Sequence, residues 1–411
     1  MVDPSPPKTA IIGAGLSGLC LALALHQQSL PCIVYESRPA PLNIGGAVML
    51  SPNALRILDA LGIYALVKDH GYSFETLYFC DAAGNVTETH EFGSKQKYGY
   101  PALRVYRHVL IDTLLAALKE HRVPVEYGCK FSHIITETDG GVTFAFADGS
   151  TASADLLVGA DGIHSTVRKQ LYPDLETRFV GVAAMTAAVP TAQLKLPTED
   201  INQHLPVTFV SPKHGGFVIA PQGSGGREVL IGKQKRIPED PGRAGFAAMM
   251  ADKDSHVAFL REGAEAFPEM VQNAVSDIPM DKLNVWPFYM VPRLDRWASA
   301  KRRVVILGDA AHAIAPSAGQ GINQAFEDVY MFALLLKAGS GVDQGRALSF
   351  WQGYRQERID RILKLNEQID LRRMPAKEGE AVVKEPFELA WLYQPDIKGI
   401  VEAWVKEEAS A

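Results

Sequence analysis

The sequence predicts an α/β fold with a second, β-rich lobe, and three observations carry that expectation. A short β-branched run at residues 9–12 stops at Gly13, an apolar helix follows over 16–28, and a second apolar run ends at Glu36, which together make a βαβ unit. Residues 178–236 alternate polar and apolar positions around Gly-rich turns, as a separate sheet with its own core does. A buried run at 303–307, a glycine-containing loop and a helix starting near 320–322 then bring the first pattern back. A chain of 411 residues also exceeds what one core supports, so more than one lobe is expected.

Each element follows from its local pattern. The helix at 16–28 is apolar almost all round and therefore buried, and Pro31 introduces the strand that ends at Glu36. Leu110, Leu114 and Leu118 recur every fourth residue with Ile111 and Leu115 beside them, which marks a one-faced helix over 109–119. Residues 125–154 alternate around the turn signals Asp139-Gly140-Gly141 and Asp148-Gly149 and read as an antiparallel meander, which hands over to a buried strand at 155–159. In the second lobe, strands are expected at 179–189, 207–210, 217–220, 228–232 and 283–291, with helix over 243–275. The tail, 342–411, reads as helical, with Trp351, Tyr354, Ile362, Leu365 and Ile369 on one face of a long helix.

Composition narrows the function classes. A hydrophobic fraction of 47% excludes a disordered chain, and 41 Lys and Arg against 47 Asp and Glu leave no basic footprint for nucleic acid or an anionic membrane. Cys20, Cys32, Cys80 and Cys129 are too far apart for a CxxC pair or zinc knuckle, so a reducing compartment, no metal site and no disulfide framework are expected. No stretch approaches the roughly 18 apolar residues of a membrane span, and residues 1–8 are Pro-rich and polar. The reading is a soluble cytoplasmic protein, monomer or homodimer, with a small-molecule ligand.

Three glycine-bearing stretches carry the chemistry. Gly13-Ala14-Gly15-Leu16-Ser17-Gly18 lies between strand and helix: the first glycine makes the turn, the second admits a pyrophosphate to the helix N-terminus, and the third lets helix and strand pack closely. Glu36 ends the next strand, where a carboxylate accepts hydrogen bonds from the ribose hydroxyls of an adenosine, and Arg38 stands beside it. Gly159-Ala160-Asp161-Gly162 follows the buried strand at 155–159 and brings main chain toward the same nucleotide, with Arg168 as a fixed cation. Gly308-Asp309 ends the last strand, and the loop from Pro316 through Gly319 and Gly321 feeds into a helix N-terminus at Ile322, where unsatisfied N–H groups favour an anion.

In this order, the three stretches resemble the class A, single-component FAD-dependent aromatic monooxygenases of the para-hydroxybenzoate and salicylate hydroxylase type, over about residues 8–370. The resemblance implies a glutathione-reductase-type FAD/NAD(P)-binding Rossmann domain plus a para-hydroxybenzoate-hydroxylase-like substrate domain. It divides the chain into FAD-binding parts at 1–75, 101–177 and 291–340, substrate-lobe parts at 76–100 and 178–290, and C-terminal helices at 341–411. It implies that the first loop holds the FAD pyrophosphate, Glu36 the adenosine ribose, and Asp309 the ribityl and pyrophosphate region. Arg107 is similar to the family's flavin-contacting arginine, and Gly45-Gly46-Ala47 to a segment along the isoalloxazine ring. The implied chemistry is reduction of FAD by transiently docked NAD(P)H, addition of O2 at flavin C4a, and oxygen transfer from the hydroperoxide to a small aromatic, N-heterocyclic or polyketide-like substrate.

For catalysis itself the candidates are Pro316, which stiffens the loop near the ring, His214, a potential general base toward a phenol, and Tyr289, placed to reach a pocket between the lobes. His164 and His312 read as loop-stabilising residues, Trp286 and Trp297 as packing, and Lys233, Lys235 and Arg236 as a solvated cluster or a site for the extra phosphate of NADPH. Two other classes stay open at this stage: an FAD-dependent reductase or halogenase on the same scaffold, and a non-catalytic flavin-binding regulator. The W-x-W-x-I-P string of flavin halogenases is not found.

Overall fold

Strands Thr9–Ile12, Cys32–Glu36 and Leu156–Gly159 are buried at every position, so the sheet they form needs cover on both faces. The computed structural model, which describes residues 8–41, 46–198, 200–338, 342–373 and 388–410, places them in a five-stranded parallel sheet. Its order is Val304–Ile306, Leu156–Gly159, Thr9–Ile12, Cys32–Glu36 and Val125–Tyr127. One face carries helix Leu16–Gln27, which packs between Arg107–Glu120 and Gly321–Ala338. The other face is covered by an antiparallel sheet of Phe131–Thr138, Gly141–Phe146 and Thr151–Ala154, whose Phe144 and Phe146 rings lie 6.0 and 4.9 Å from Tyr35.

The meander is therefore shorter than the expected 125–154. Val125–Tyr127 pairs in parallel with Val34 to Glu36 instead. As an edge strand with one exposed residue between two partly covered ones it alternates like an antiparallel strand, and periodicity does not separate the two.

The second lobe is a mixed seven-stranded sheet in the order Asn284–Met290, Arg178–Pro190, Glu228–Arg236, Gly215–Gln222, Val207–Ser211, Thr76–Asp81 and Val86–Glu91. Its two faces differ. Phe217, Ile219, Val229 and Ile231 form one apolar core with Val257, Leu260 and Val271 of the covering helices. Those helices are Gly242–Ala251, Lys253–Arg261 and Glu269–Ala274 rather than one run over 243–275. The breaks have local causes: the Asp252 side chain caps the second helix by accepting from Ser255 N, Gly263 takes φ 72°, and Pro268 precedes the third. The opposite face, with Ala184, Val218, Ala220 and Leu230, looks toward the first lobe.

A small sheet of Ala47–Leu50, Ala102–Tyr106 and Tyr72–Phe74 joins the lobes, with Arg104 Nε donating to the Pro221 carbonyl at 2.9 Å and the Tyr106 hydroxyl bonded to Glu228. Helix Gln344–Arg373 runs along both lobes with the expected apolar face, which splits between two cores. Trp351 meets Trp297 and Phe332 in the first, and Ile362, Leu365 and Ile369 meet Leu392 and Tyr393 in another. Among the described residues, no helix is long and apolar enough to cross a membrane, and no group of His, Cys, Asp and Glu is placed to hold a metal ion.

Candidate cofactor and substrate site

The parallel strands end side by side, so the turns that follow them gather at one edge of the sheet. Gly13 N donates to the Tyr35 carbonyl at 2.8 Å, Ala160 N to Ile12 at 2.9 Å, and Leu307 N to Gly159 at 3.1 Å. Gly13 takes φ 108°, and a Cβ there would sit 2.7 Å from the Ala160 carbonyl oxygen, so no other residue fits between these two turns. Gly18 is equally constrained, since a Cβ would lie 1.9 Å from the Gly13 carbonyl. Gly15 has open space on its side, and helix Leu16–Gln27 begins there with no side-chain cap and no acid in its first turn. The N–H groups of that turn are thus left for an anionic group.

Glu36 is 7% exposed. It accepts from Ala14 N at 2.8 Å and from Arg38 N at 2.9 Å, which fixes its carboxylate beside the glycine turn. The Arg38 side chain is mostly exposed and reaches Glu36 at 3.6 Å.

Beyond the turns lies a cavity of about 510 Å³. The predicted residues Gly15, Leu16, Ser17, Ala47, Arg107 and Asp309 line it on one side. Pro316, Gly319, Gly321 and Ile322 line it at the entry to helix Gly321–Ala338. Burial raises the Asp309 carboxyl against the opposing pull of His312 and Arg107, and burial lowers the Arg107 guanidinium. Gly46 is not among the residues that line the cavity, but its carbonyl accepts from Arg107 N at 3.4 Å, and Gly45 falls outside the described residues.

Other expected residues are engaged elsewhere. Asp161 does not face the cavity: it accepts from Ser165 Oγ, from Thr166 N at 2.7 Å and from Val167 N at 3.2 Å, so the carboxylate caps a helix while its neighbours Ala160 and Gly162 line the wall. Arg168 spends its guanidinium on the carbonyls of Ala310 and Ile163, tying the second turn to the third. His214 sits behind the sheet, in contact with Gly263 and 6.4 Å from the Phe267 ring, away from any substrate. Tyr289 lies on the opposite side of its strand from Trp286 and Phe288, which do line the cavity, and its hydroxyl donates to Asp240 at 2.6 Å. Lys233 Nζ donates to the Phe259 and Glu262 carbonyls, which removes it as a phosphate ligand.

Sequence reasoning missed the residues that brace the site. Asn323 accepts from Ser51 N and donates to the carbonyls of Met49 and Gly319, which locks the strand Ala47–Leu50 to the helix entry. Asp328 accepts from Gly308 N at 2.9 Å and meets the His312 ring at 2.5 Å, and both it and Glu327 pair with Arg355. The small side chains on the cavity face, at even positions of strands Arg178–Pro190, Gly215–Gln222 and Glu228–Arg236, were a legible signal: Ala184, Thr186, Gly216, Val218, Ala220 and Gly232 leave room that larger residues would fill.

Three nucleotide-type turns, an uncapped helix and the side chains of Arg107 and Asp309 on one cavity define a protein built around a dinucleotide held at the edge of a parallel sheet. The family described as FAD binding domain matches residues 7–365, and the chain belongs to it: it is an FAD-binding oxidoreductase of the aromatic monooxygenase family. It is 29% identical over 397 residues to a 3-amino-4-hydroxybenzoate 2-monooxygenase of Streptomyces cremeus, with 94% of each chain covered. A 6-hydroxynicotinate 3-monooxygenase of Pseudomonas fluorescens is 26% identical, covering 88% of this chain and 90% of its own length. Among solved structures, CtdE in complex with FAD and a substrate superposes with a TM-score of 0.81 at 19% identity, covering 98% of this chain and 99% of that one. The likeness of fold extends to Klebsiella pneumoniae HpxO with FAD and uric acid, at a TM-score of 0.75 and 23% identity over 98% and 93% of the two chains.

Proposed function

We propose that the protein is an NAD(P)H- and O2-dependent monooxygenase that hydroxylates a small aromatic or N-heterocyclic substrate. The observation that carries this reading is the continuity of one cavity from the glycine turns to the apolar face of the seven-stranded sheet, so cofactor and substrate would share a single space. When bound, FAD supplies two-electron exchange with a nicotinamide and the activation of dioxygen.

The residues present fit that group. The open N–H groups at Gly15 to Ser17 suit its pyrophosphate, Glu36 its ribose, and Asp309 and Arg107 its linker and ring. The backbone from Gly319 to Ile322, at a helix start without acids, would favour negative charge on a bound flavin by on the order of 0.3–2 kcal/mol. Pro316 contributes no N–H and fixes the backbone of the loop that lines the cavity before that helix. Val218, Ala220, Leu230 and Phe288 keep the substrate end dry, which protects a reactive oxygen donor from water. On the same reading, 1–75, 101–177 and 291–340 serve the cofactor and 76–100 with 178–290 the substrate.

The test is anaerobic reduction with NADH or NADPH, followed by an oxygen pulse in the presence of candidate hydroxybenzoates and hydroxylated N-heterocycles. The expected result is substrate-stimulated nicotinamide oxidation with one oxygen atom from O2 in the product. Product formed without oxygen would replace this reading with that of a reductase.

A further inference from the structure

Strands Gly215–Gln222 and Ala47–Leu50 form two walls of the same cavity, the first through Gly216, Val218 and Ala220 and the second through Ala47, Val48 and Met49. Side chains two apart along a strand share a face, so Gln222 continues the row of Val218 and Ala220. It is 4% exposed, yet it does not line the cavity. Its amide is used between the walls: Oε1 accepts from Ala47 N at 3.3 Å, and Nε2 donates to the Tyr106 hydroxyl at 3.4 Å.

The Ala47 N–H needs such a partner. Ala47–Leu50 stands at the edge of the small sheet, beside Ala102–Tyr106. In antiparallel pairing, residue pairs that exchange hydrogen bonds alternate with pairs that do not. Arg107 N donates to the Gly46 carbonyl, so the next pair, Ala47 with Tyr106, is one that does not, and the Ala47 N–H points away from its sheet. Gln222 meets it there as the carbonyl of a further strand would.

The amide has one orientation. The Tyr106 hydroxyl gives its hydrogen to Glu228, which lies opposite Gln222 in the neighbouring strand and 3.7 Å from Lys282 Nζ. Burial and the bond to Glu228 both raise the Tyr106 pKa, so the hydroxyl keeps that hydrogen at neutral pH. Its oxygen is left to accept from the Gln222 amide nitrogen, which turns Oε1 toward Ala47.

We infer that Gln222 is a positioning residue: through Ala47 it fixes the spacing between the cofactor side of the cavity and the sheet on which the substrate lies. This rests on the monooxygenase reading. Oxygen transfer tolerates little displacement of the target atom, so a shifted wall diverts the oxygen. Productive turnover converts NAD(P)H, a proton, O2 and substrate to NAD(P)+, water and hydroxylated product. With the substrate misplaced, NAD(P)H, a proton and O2 give NAD(P)+ and H2O2 instead.

The test compares the full-length, FAD-loaded protein with Gln222→Met, which fills similar space without an amide, and with Gln222→Glu, which keeps an acceptor for Ala47 N. Two quantities are read: product and H2O2 per NAD(P)H, with the hydroxybenzoate or hydroxylated N-heterocycle that the wild type oxygenates best, and the visible circular dichroism of the bound flavin without substrate. Gln222→Met should give about threefold or more less product per NAD(P)H, the deficit appearing as H2O2, while FAD affinity stays within about threefold of wild type. Its dichroism should differ from that of the wild type, and Gln222→Glu should recover part of both signals. Unchanged yield, unchanged dichroism, loss of FAD in place of loss of yield, or a Gln222→Glu variant no better than Gln222→Met would each overturn the assignment and leave the monooxygenase reading standing. Should Gln222→Met fail to fold, Tyr106→Phe, which frees the amide at its other end, is expected to move yield and dichroism in the same direction, and unchanged values there overturn the assignment too. A wild type that oxygenates none of the candidates removes the monooxygenase reading, and the dichroism then decides the role of Gln222 by itself.

Discussion

Asp328 and His312 meet at 2.5 Å in a part of the molecule where the carboxylate is fully buried and the imidazole is 5% exposed. The same Asp328 oxygen accepts from Gly308 N, and the other accepts from Arg355 Nε at 2.8 Å. Although burial alone would raise the Asp328 carboxyl, His312 and Arg355 together hold it below the usual carboxylate range. The turn that presents Asp309 to the cavity is thus braced from behind by an ionised group. Asp328→Asn should cost about 3 kcal/mol, because it leaves Arg355 short of one buried partner. Thermal unfolding of the FAD-loaded and FAD-free forms checks this: the loss should appear in both, and an unchanged midpoint would show that the brace is dispensable.

Glu36 offers a sharper test of cofactor binding. Its carboxylate is preset by Ala14 N and Arg38 N, so replacement by alanine removes the proposed ribose acceptor and loosens the turn together. FAD affinity of Glu36→Ala should fall roughly 10- to 100-fold. Recovery of that variant as fully yellow protein after dilution and gel filtration would refute the assignment.

His90 gives a pH dependence with a defined sign. Burial, with Arg373 and Arg372 nearby, lowers its pKa from 6.5 to about 3, so the unfolded chain binds the proton more readily between those values. Stability is complete above the unfolded value and declines as acid is added, well before the depressed Glu327 and Asp328 carboxyls lose their ion pairs. Asp161 and Asp309, raised by burial, act in the opposite direction, which makes the difference between proteins the informative quantity. Between about pH 7 and 5, denaturant unfolding should show a fall that His90→Phe reduces by on the order of 2 kcal/mol. Parallel curves for the two proteins would exclude His90 as the source.

Trp286 lines the cavity yet is 42% exposed, which sets it at the mouth rather than in the packed interface its sequence context suggested. Substrate addition should quench its fluorescence. Trp286→Ala should raise KM roughly tenfold while leaving kcat and FAD content near wild type. A variant that loses FAD instead would place Trp286 among the cofactor contacts.

The nucleotide lobe was legible because its physics is local. Continuous apolar strands, a glycine run with fixed spacing and an acid at a strand end leave few alternatives, and Gly13, Gly15, Gly18, Glu36 and Asp309 follow from them. The substrate lobe was legible as strands but not as a site. His214 and Tyr289 were singled out for reactive side chains, yet strand parity puts Tyr289 on the face away from the cavity and a turn puts His214 behind the sheet. Arg373 gave no local sign at all. Its place in the cavity wall depends on where a helix of 30 residues ends relative to Gly216, a distance set by the packing of both lobes. Asp161 shows the converse, a motif residue whose carboxylate is consumed in shaping its own loop.

The parallel sheet is completed by a strand, Val304–Ile306, that pairs with Leu157 to Gly159, and the residue after next, Gly308, leads into the aspartate that faces the cavity. A growing chain that has left the ribosome only as far as residue 300 carries the glycine turn and Glu36 but neither that strand nor Asp309. A cofactor site that uses Asp309 is therefore complete only after nearly three quarters of the chain has emerged.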